Sequence, residues 1–287
     1  MDKYFELVKR SVLQFKENLV LLIPFGIATA MGLGVLLVIF VEIVMLILSL
    51  GEQILTNPLS VLTSMQAMTF VVIFVLIDIL LVLIVRAAVT AISIGMYKEV
   101  VTKGKPNLDN IGSNCRAYFS KYFGYLMIRL LLFLAPLATC AGIAFICYRI
   151  NAVLGIVVGV VLLLCFIAFS LLLSLAMFFA EPVIAFGKGS SMAAVRECFG
   201  YTKRNVSHVL LSFLALLLFN FAVGMAMLIL SLPVQLFEVI GSLGAGFIFA
   251  GFAFMLQMLL LVLRIGVNLG ASVVSSLFLF NAYRVKK

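Results

Sequence analysis

Long apolar runs separated by short polar segments dominate the chain. Six runs can be traced, at about 19–50, 68–97, 122–148, 153–180, 208–232 and 244–282. Each is near or above the roughly 20 residues that carry an α-helix across the hydrocarbon core of a bilayer. The pattern predicts an all-α integral membrane protein: one polytopic domain over residues 1–287, with six transmembrane helices paired as three hairpins. The first and last runs exceed one upright span, so they must tilt, kink or project beyond the lipid. Gly266 and Gly270 are the flex points in the last. The run from Leu19 to Leu50 is also far longer than the roughly 7–15 residues of a signal-peptide core, so it reads as a span rather than a leader.

The polar segments alternate in character. Residues 1–17, 98–121, 181–207 and 284–287 hold sixteen of the twenty Lys and Arg residues. The intervening connections 51–67 and 233–243 have none, and the turn 149–152 has only Arg149. Basic residues that flank membrane helices stay on the cytoplasmic side, which predicts that both termini are cytoplasmic. Seven of the eight tyrosines fall at the same helix ends, leaving only Tyr148 outside. With Trp absent, they are expected to form the aromatic belt at the headgroups.

Three of the basic segments predict elbow helices at the interface. In 4–17, Phe5, Val8, Val12 and Phe15 share a helical face, and Glu6 supports Arg10 at i, i+4. Pro182 is expected to break the fourth run. A GKGSS turn then precedes a second elbow, with Ser190 or Ser191 as its N-cap. NLDNIGSNCRAYFSKYF, which begins within 98–121, predicts a third. Lys9, Lys16 and Asn18 recur at the same spacing as Arg196, Lys203 and Asn205, a weak sign of a repeated elbow-span-turn-span unit.

Composition fits lipid as the solvent. The 287 residues are 65% hydrophobic and 11% charged, with a mean hydropathy of +1.31, whereas soluble domains carry about 25% charged residues. The net charge of +9 is spent on orientation and on anionic lipid headgroups rather than on nucleic acid. The headgroup contacts are assigned to Lys9, Arg10, Lys16, Arg116, Lys121, Arg196, Lys203 and Arg204. The five cysteines have neither metal-ligand nor redox-pair spacing and read as reduced packing residues.

Five ionisable residues interrupt the apolar runs: Glu42, Asp78, Arg86, Arg129 and Arg264. Each costs at least about 2.5–3.5 kcal/mol at a helix centre, so each should face the bundle interior and find a partner. Matching depth at about 1.5 Å per residue pairs Asp78 with Arg264, and Glu181 with Arg86 or Arg129. Gln257, Arg264, Asn268, Ala271 and Ser275 form one stripe on the last run. Arg86, Thr90, Ser93 and Tyr97 form another on the second, and Asn220 adds a polar group to the fifth. Such groups serve either as interhelical glue or as the lining of a pathway.

The stretch FFAEPVIAFGKGSSMAAVRECFGYTKRN, with Pro182, Gly187, Gly189, Ala194, Lys203 and Asn205, resembles a signature of six-span prokaryotic membrane domains. Asn18 to Pro24 fits the same pattern, while Cys198 stands where that group usually has a small residue, often Ser. One branch of the group is the membrane domain joined to some bacterial glycerophosphodiester phosphodiesterases. Others are stand-alone proteins, many of them archaeal. The resemblance implies the fold and topology. It implies no catalytic residues, because the enzymatic domain of that branch is a separate soluble barrel.

No metal cluster, nucleophile triad or phosphate loop can be assembled. The only His is His208, and GKGSS lacks Walker A spacing. No metal, cofactor or enzymatic activity is expected. Two functions stay open for this multi-pass cell-membrane protein: transport or channel-like conduction through the polar interior, and a structural or accessory role through lipid-surface or partner contacts.

Overall fold

The computed structural model describes residues 2–56, 65–187, 189–242 and 247–286, and no strand occurs among them. Its helices are α1 (Asp2–Glu17), α2 (Ile23–Thr56), α3 (Met65–Lys103), α4 (Ile111–Ile150), α5 (Ala152–Ala176), α6 (Ala180–Phe186), α7 (Ser191–Arg204), α8 (Val206–Ser242) and α9 (Phe247–Lys286). Six stretches are long and apolar enough to cross a membrane: Leu19–Leu48, Met68–Lys103, Leu108–Ile150, Ala152–Phe186, Val206–Gln235 and Phe254–Lys286. They correspond one to one with the six apolar runs. The order of packing is α2 on α3, α3 on α4, α4 on α5 and α8 on α9. The last pair joins the rest through α3 and through α1, which lies against α8 and α9.

Several expected boundaries move, each for a local reason. The separate third elbow does not form. Gly104 closes α3 with a left-handed φ of 84°. Glu99 then ties down the connection, accepting from the Asn107 N–H at 2.8 Å and from Asn110 Nδ2 at 2.7 Å. The reversal is complete by Asn110. From Ile111 onward α4 continues directly into its span, with Pro136 as its one interior proline. The fourth run breaks at 177–179, ahead of Pro182, because a proline ring displaces the carbonyl four residues before it, here that of Phe178. Ser190 is the N-cap of α7, its hydroxyl accepting from the Ala193 N–H at 3.4 Å. Of the expected loops 51–67 and 233–243, helix occupies all but 57–64 and 243, which lie outside the described residues.

The tightly packed core sits at one end, where the basic segments gather. Tyr97, Tyr122, Tyr125, Tyr201 and Tyr283 are buried there, so the expected tyrosine belt is instead part of the interior. Phe179 is its hub. It packs edge-on against Tyr201 at 5.2 Å and stacks on His208 at 5.8 Å. Aromatic pairs of this kind add about 0.5–1.5 kcal/mol beyond burial. Hydrogen bonds lock the same end. His208 Nε2 donates to the Ala282 carbonyl at 3.1 Å, so Nδ1 accepts from the Tyr4 hydroxyl at 2.8 Å. Asn281 Nδ2 donates to Gln14 Oε1 at 2.8 Å and to Ser11 Oγ at 3.2 Å. Arg284 caps the Val101 carbonyl. These bonds draw α1, α3, α8 and α9 to one point.

The face of α1 differs from expectation as well. Leu7 and Ser11 are its buried residues, whereas Phe5 is 65% exposed. The apolar stripe Phe5–Val8–Val12–Phe15 lies along the α8–α9 seam instead of forming the main contact.

Two predictions follow from this packing. A side chain at Gly155 would overlap the Tyr148 backbone at the α4–α5 turn, whereas one at Gly159 meets only the Ala144 Cβ at 3.7 Å. Gly155→Leu should therefore cost about 2 kcal/mol by overpacking and lower the melting temperature in detergent, with Gly159→Ala close to wild type. Burial, followed by the charge of Glu197, pushes the Cys198 thiol up to about 12. Its thiolate fraction at pH 8 is then on the order of one in ten thousand. Maleimide at pH 8 should leave Cys198 unmodified in the folded protein and label it once the chain is denatured, as peptide mass mapping would read.

Candidate functional site

The antiparallel pair α8–α9 opens into a cavity of about 590 Å³ towards the end away from the packed core. Helical spacing builds both walls. On α9, Gln257, Arg264 and Asn268 follow +7 and +4 steps and so share a face. On α8, Gly224, Ser231 and Gln235 do the same, also at +7 and +4. Because the helices run in opposite directions, Gly224 comes level with Arg264, and Ser231 with Gln257. The wall at Gly224 stands clear of its neighbours, since even a Cβ there would meet nothing within 4 Å.

Arg264 is exposed within this cavity. Among the described residues no carboxylate lies within 4 Å of it. In a span, an unneutralised guanidinium is a strong attractor for anions and the most costly feature of the local structure. The amides of Gln235, Gln257 and Asn268 can complete the shell of a bound anion, each offering N–H donors, whereas the Ser231 hydroxyl already donates to the Leu228 carbonyl at 2.7 Å. Cavities of about 300–1,000 Å³ suit small-molecule ligands.

The structure divides the polar residues singled out by the sequence into three groups. Gln257, Arg264 and Asn268 come together in the cavity, while further along their stripe Ala271 and the Ser275 hydroxyl are buried. Asp78 does not pair with Arg264. It meets Glu42 across the α2–α3 interface, and its Oδ1 is buried without a hydrogen-bond partner. Depth matched Asp78 to Arg264, but rotation about α3 turns the carboxyl towards α2. The third group lies near the packed end. The charge of Arg86 acts on Glu181, from beyond the 4 Å of an ion pair. Tyr122 feels both Arg86 and Arg129, and the Tyr125 hydroxyl lies against Arg129. Asn220 turns its amide to its own helix, donating to the Leu216 carbonyl at 2.9 Å.

Lys9, Arg10, Lys16, Arg116, Arg196, Lys203 and Arg204 are exposed, and Lys121 is half-buried. Sequence reasoning missed Gly224, Ser231 and Gln235. Their heptad-like spacing opposite the α9 stripe was the available signal, but their polarity is too slight to stand out in an apolar run. Among the described residues no group of His, Cys, Asp and Glu is arranged to hold a metal ion.

A scan against protein-family models and searches of curated proteins and of solved structures found no match. The resemblance to six-span prokaryotic membrane domains therefore rests on the residues quoted for it.

Proposed function

We propose that this polytopic membrane protein takes up a small anion in the α8–α9 cavity and moves it across the bilayer. One observation carries the reading: Arg264, without a carboxylate partner among the described residues, faces a space of about 590 Å³ in the middle of a span, with the amides of Gln235, Gln257 and Asn268 on its walls. With the basic segments cytoplasmic, both termini lie inside, the spans form three hairpins, and α1 and α7 lie as elbows at anionic headgroups. The cavity then belongs to the outer half of the membrane. Below it, Val273, Leu277 and Phe278 are buried and close the inner half. This is the arrangement of a site open to one side, and release to the other side needs the packed end to loosen.

The experiment is uptake of labelled acetate, lactate and glycerol phosphate into vesicles containing the purified chain. A charge-assisted contact contributes about 1.5–3 kcal/mol, so Arg264→Gln should lower uptake roughly tenfold or more, with Arg264→Lys falling between. Uptake unchanged in Arg264→Gln would refute the site. A folded, reconstituted chain that moves none of the three would favour an accessory role, with the polar interior acting as glue between helices.

A further inference from the structure

A second concentration of unneutralised charge sits at the basic end, away from the Arg264 cavity. Here α7 ends, α8 begins, and the last turn of α9 passes beside α1. Lys203, Arg204, Ser207, His208, Lys286 and Tyr4 surround a pocket of about 480 Å³. The charges of Lys286 and Lys3 both act on His208. Among the described residues no carboxylate lies within 4 Å of Lys203, Arg204 or Lys286. Arg204 fixes its Nε on the Gly200 carbonyl at 3.1 Å, which leaves its terminal nitrogens for a ligand.

The start of α8 adds donors. Val206, Ser207 and His208 belong to the first turn of a 37-residue helix, whose N–H groups have no intrahelical acceptor. Asn205, in the capping position, donates its side-chain amide back to the Tyr201 carbonyl at 3.2 Å. No side chain among the described residues caps that turn. Three cations and an open helix N-terminus together suit a phosphate group, which offers several charged oxygens to both.

The pocket also continues into an apolar groove. Tyr4 lines both the charged pocket and a slot of about 180 Å³ between α1 and α8, walled by Phe5, Val8, Ala215 and Ala222. Phe219 carries the groove onward to a further space of about 510 Å³ beside Val12, Phe15 and Gly270. From Val206 to Val223, at about 1.5 Å per residue, the path runs roughly 25 Å, long enough for an acyl chain. Charge at one end and an apolar channel leading away from it match one kind of molecule.

We infer that the α1–α8 seam binds an anionic phospholipid, its phosphate held by Lys203, Arg204, Lys286 and the first turn of α8, and an acyl chain laid along the groove under α1. The lipid would fasten α1 to α8 and so brace the packed end.

The test uses the full chain in nanodiscs of phosphatidylcholine with one-tenth phosphatidic acid, extracted and weighed by native mass spectrometry. Wild type should retain one phosphatidic acid. Lys203→Gln/Arg204→Gln/Lys286→Gln should reduce retention about tenfold. Ala222→Phe, which fills the groove and leaves the charges in place, should also reduce it. Lys103→Gln/Lys105→Gln, exposed at the same end but lining none of these spaces, should leave retention unchanged, as should Arg264→Gln. Equal loss in Lys103→Gln/Lys105→Gln would overturn the proposal in favour of general surface attraction. Saturable binding of inorganic phosphate with no effect of Ala222→Phe would overturn it in favour of a free-phosphate site. Absence of retained lipid in wild type would overturn it outright.

Discussion

The hydrogen bonds of one buried imidazole hold the architecture together. His208 donates to the Ala282 carbonyl and accepts from Tyr4, and so binds the start of α8 to the end of α9 and to α1. Phe179, from the break between α5 and α6, stacks on the same ring. In a bilayer the hydrophobic effect does little to drive one apolar helix against another, so close packing and hydrogen bonds must do it. These are concentrated at the basic end. Four parts of the chain far apart in sequence depend on the neutral, doubly bonded state of this side chain.

The other end follows a different rule. There the helices show lipid-sized apolar surface, as at Leu48, Leu163 and Leu259, and α8 and α9 stand apart around Arg264. The fold thus has a closed end, rigid through aromatic packing, and an open end where a charge is tolerated because space and amides surround it. The proposed site, open to one side and sealed on the other, rests on that asymmetry. The seam of α1 along α8 and α9 lies where the two regimes meet, which is why a lipid bound there would act on the stability of the closed end.

The six spans were legible because insertion into lipid depends on local composition, and a run such as 153–180 carries its signal within itself. Ser190 and the helix it starts were legible for the same reason, since a cap acts over three residues. The third elbow was not. Nothing in 111–121 marks where an interfacial helix would end and a span begin, and only the Glu99 bonds show that the reversal is already complete upstream. Tyr97, Tyr122 and Tyr283 were misread because a tyrosine at a helix end suits both a headgroup belt and a covered core, and the cover is tertiary. The partner of Asp78 was missed because sequence gives depth along a helix but not its rotation towards a neighbour. The Arg264, Asn268 and Gln257 stripe was legible from spacing, whereas the space opposite it depends on how far α8 stands from α9, which is tertiary.

The central claim, a cavity open at one end above a sealed core, is tested most directly by cysteine accessibility along α9. In a chain whose partly exposed native cysteines are replaced by Ala, single cysteines are placed at Gln257, Asn268 and Leu277. A membrane-impermeant thiosulfonate is then applied to each side of oriented vesicles. The account predicts modification of Gln257→Cys and Asn268→Cys from the side opposite the basic segments, and none of Leu277→Cys from either side. Modification of Leu277→Cys, or silence at both Gln257→Cys and Asn268→Cys, would contradict it.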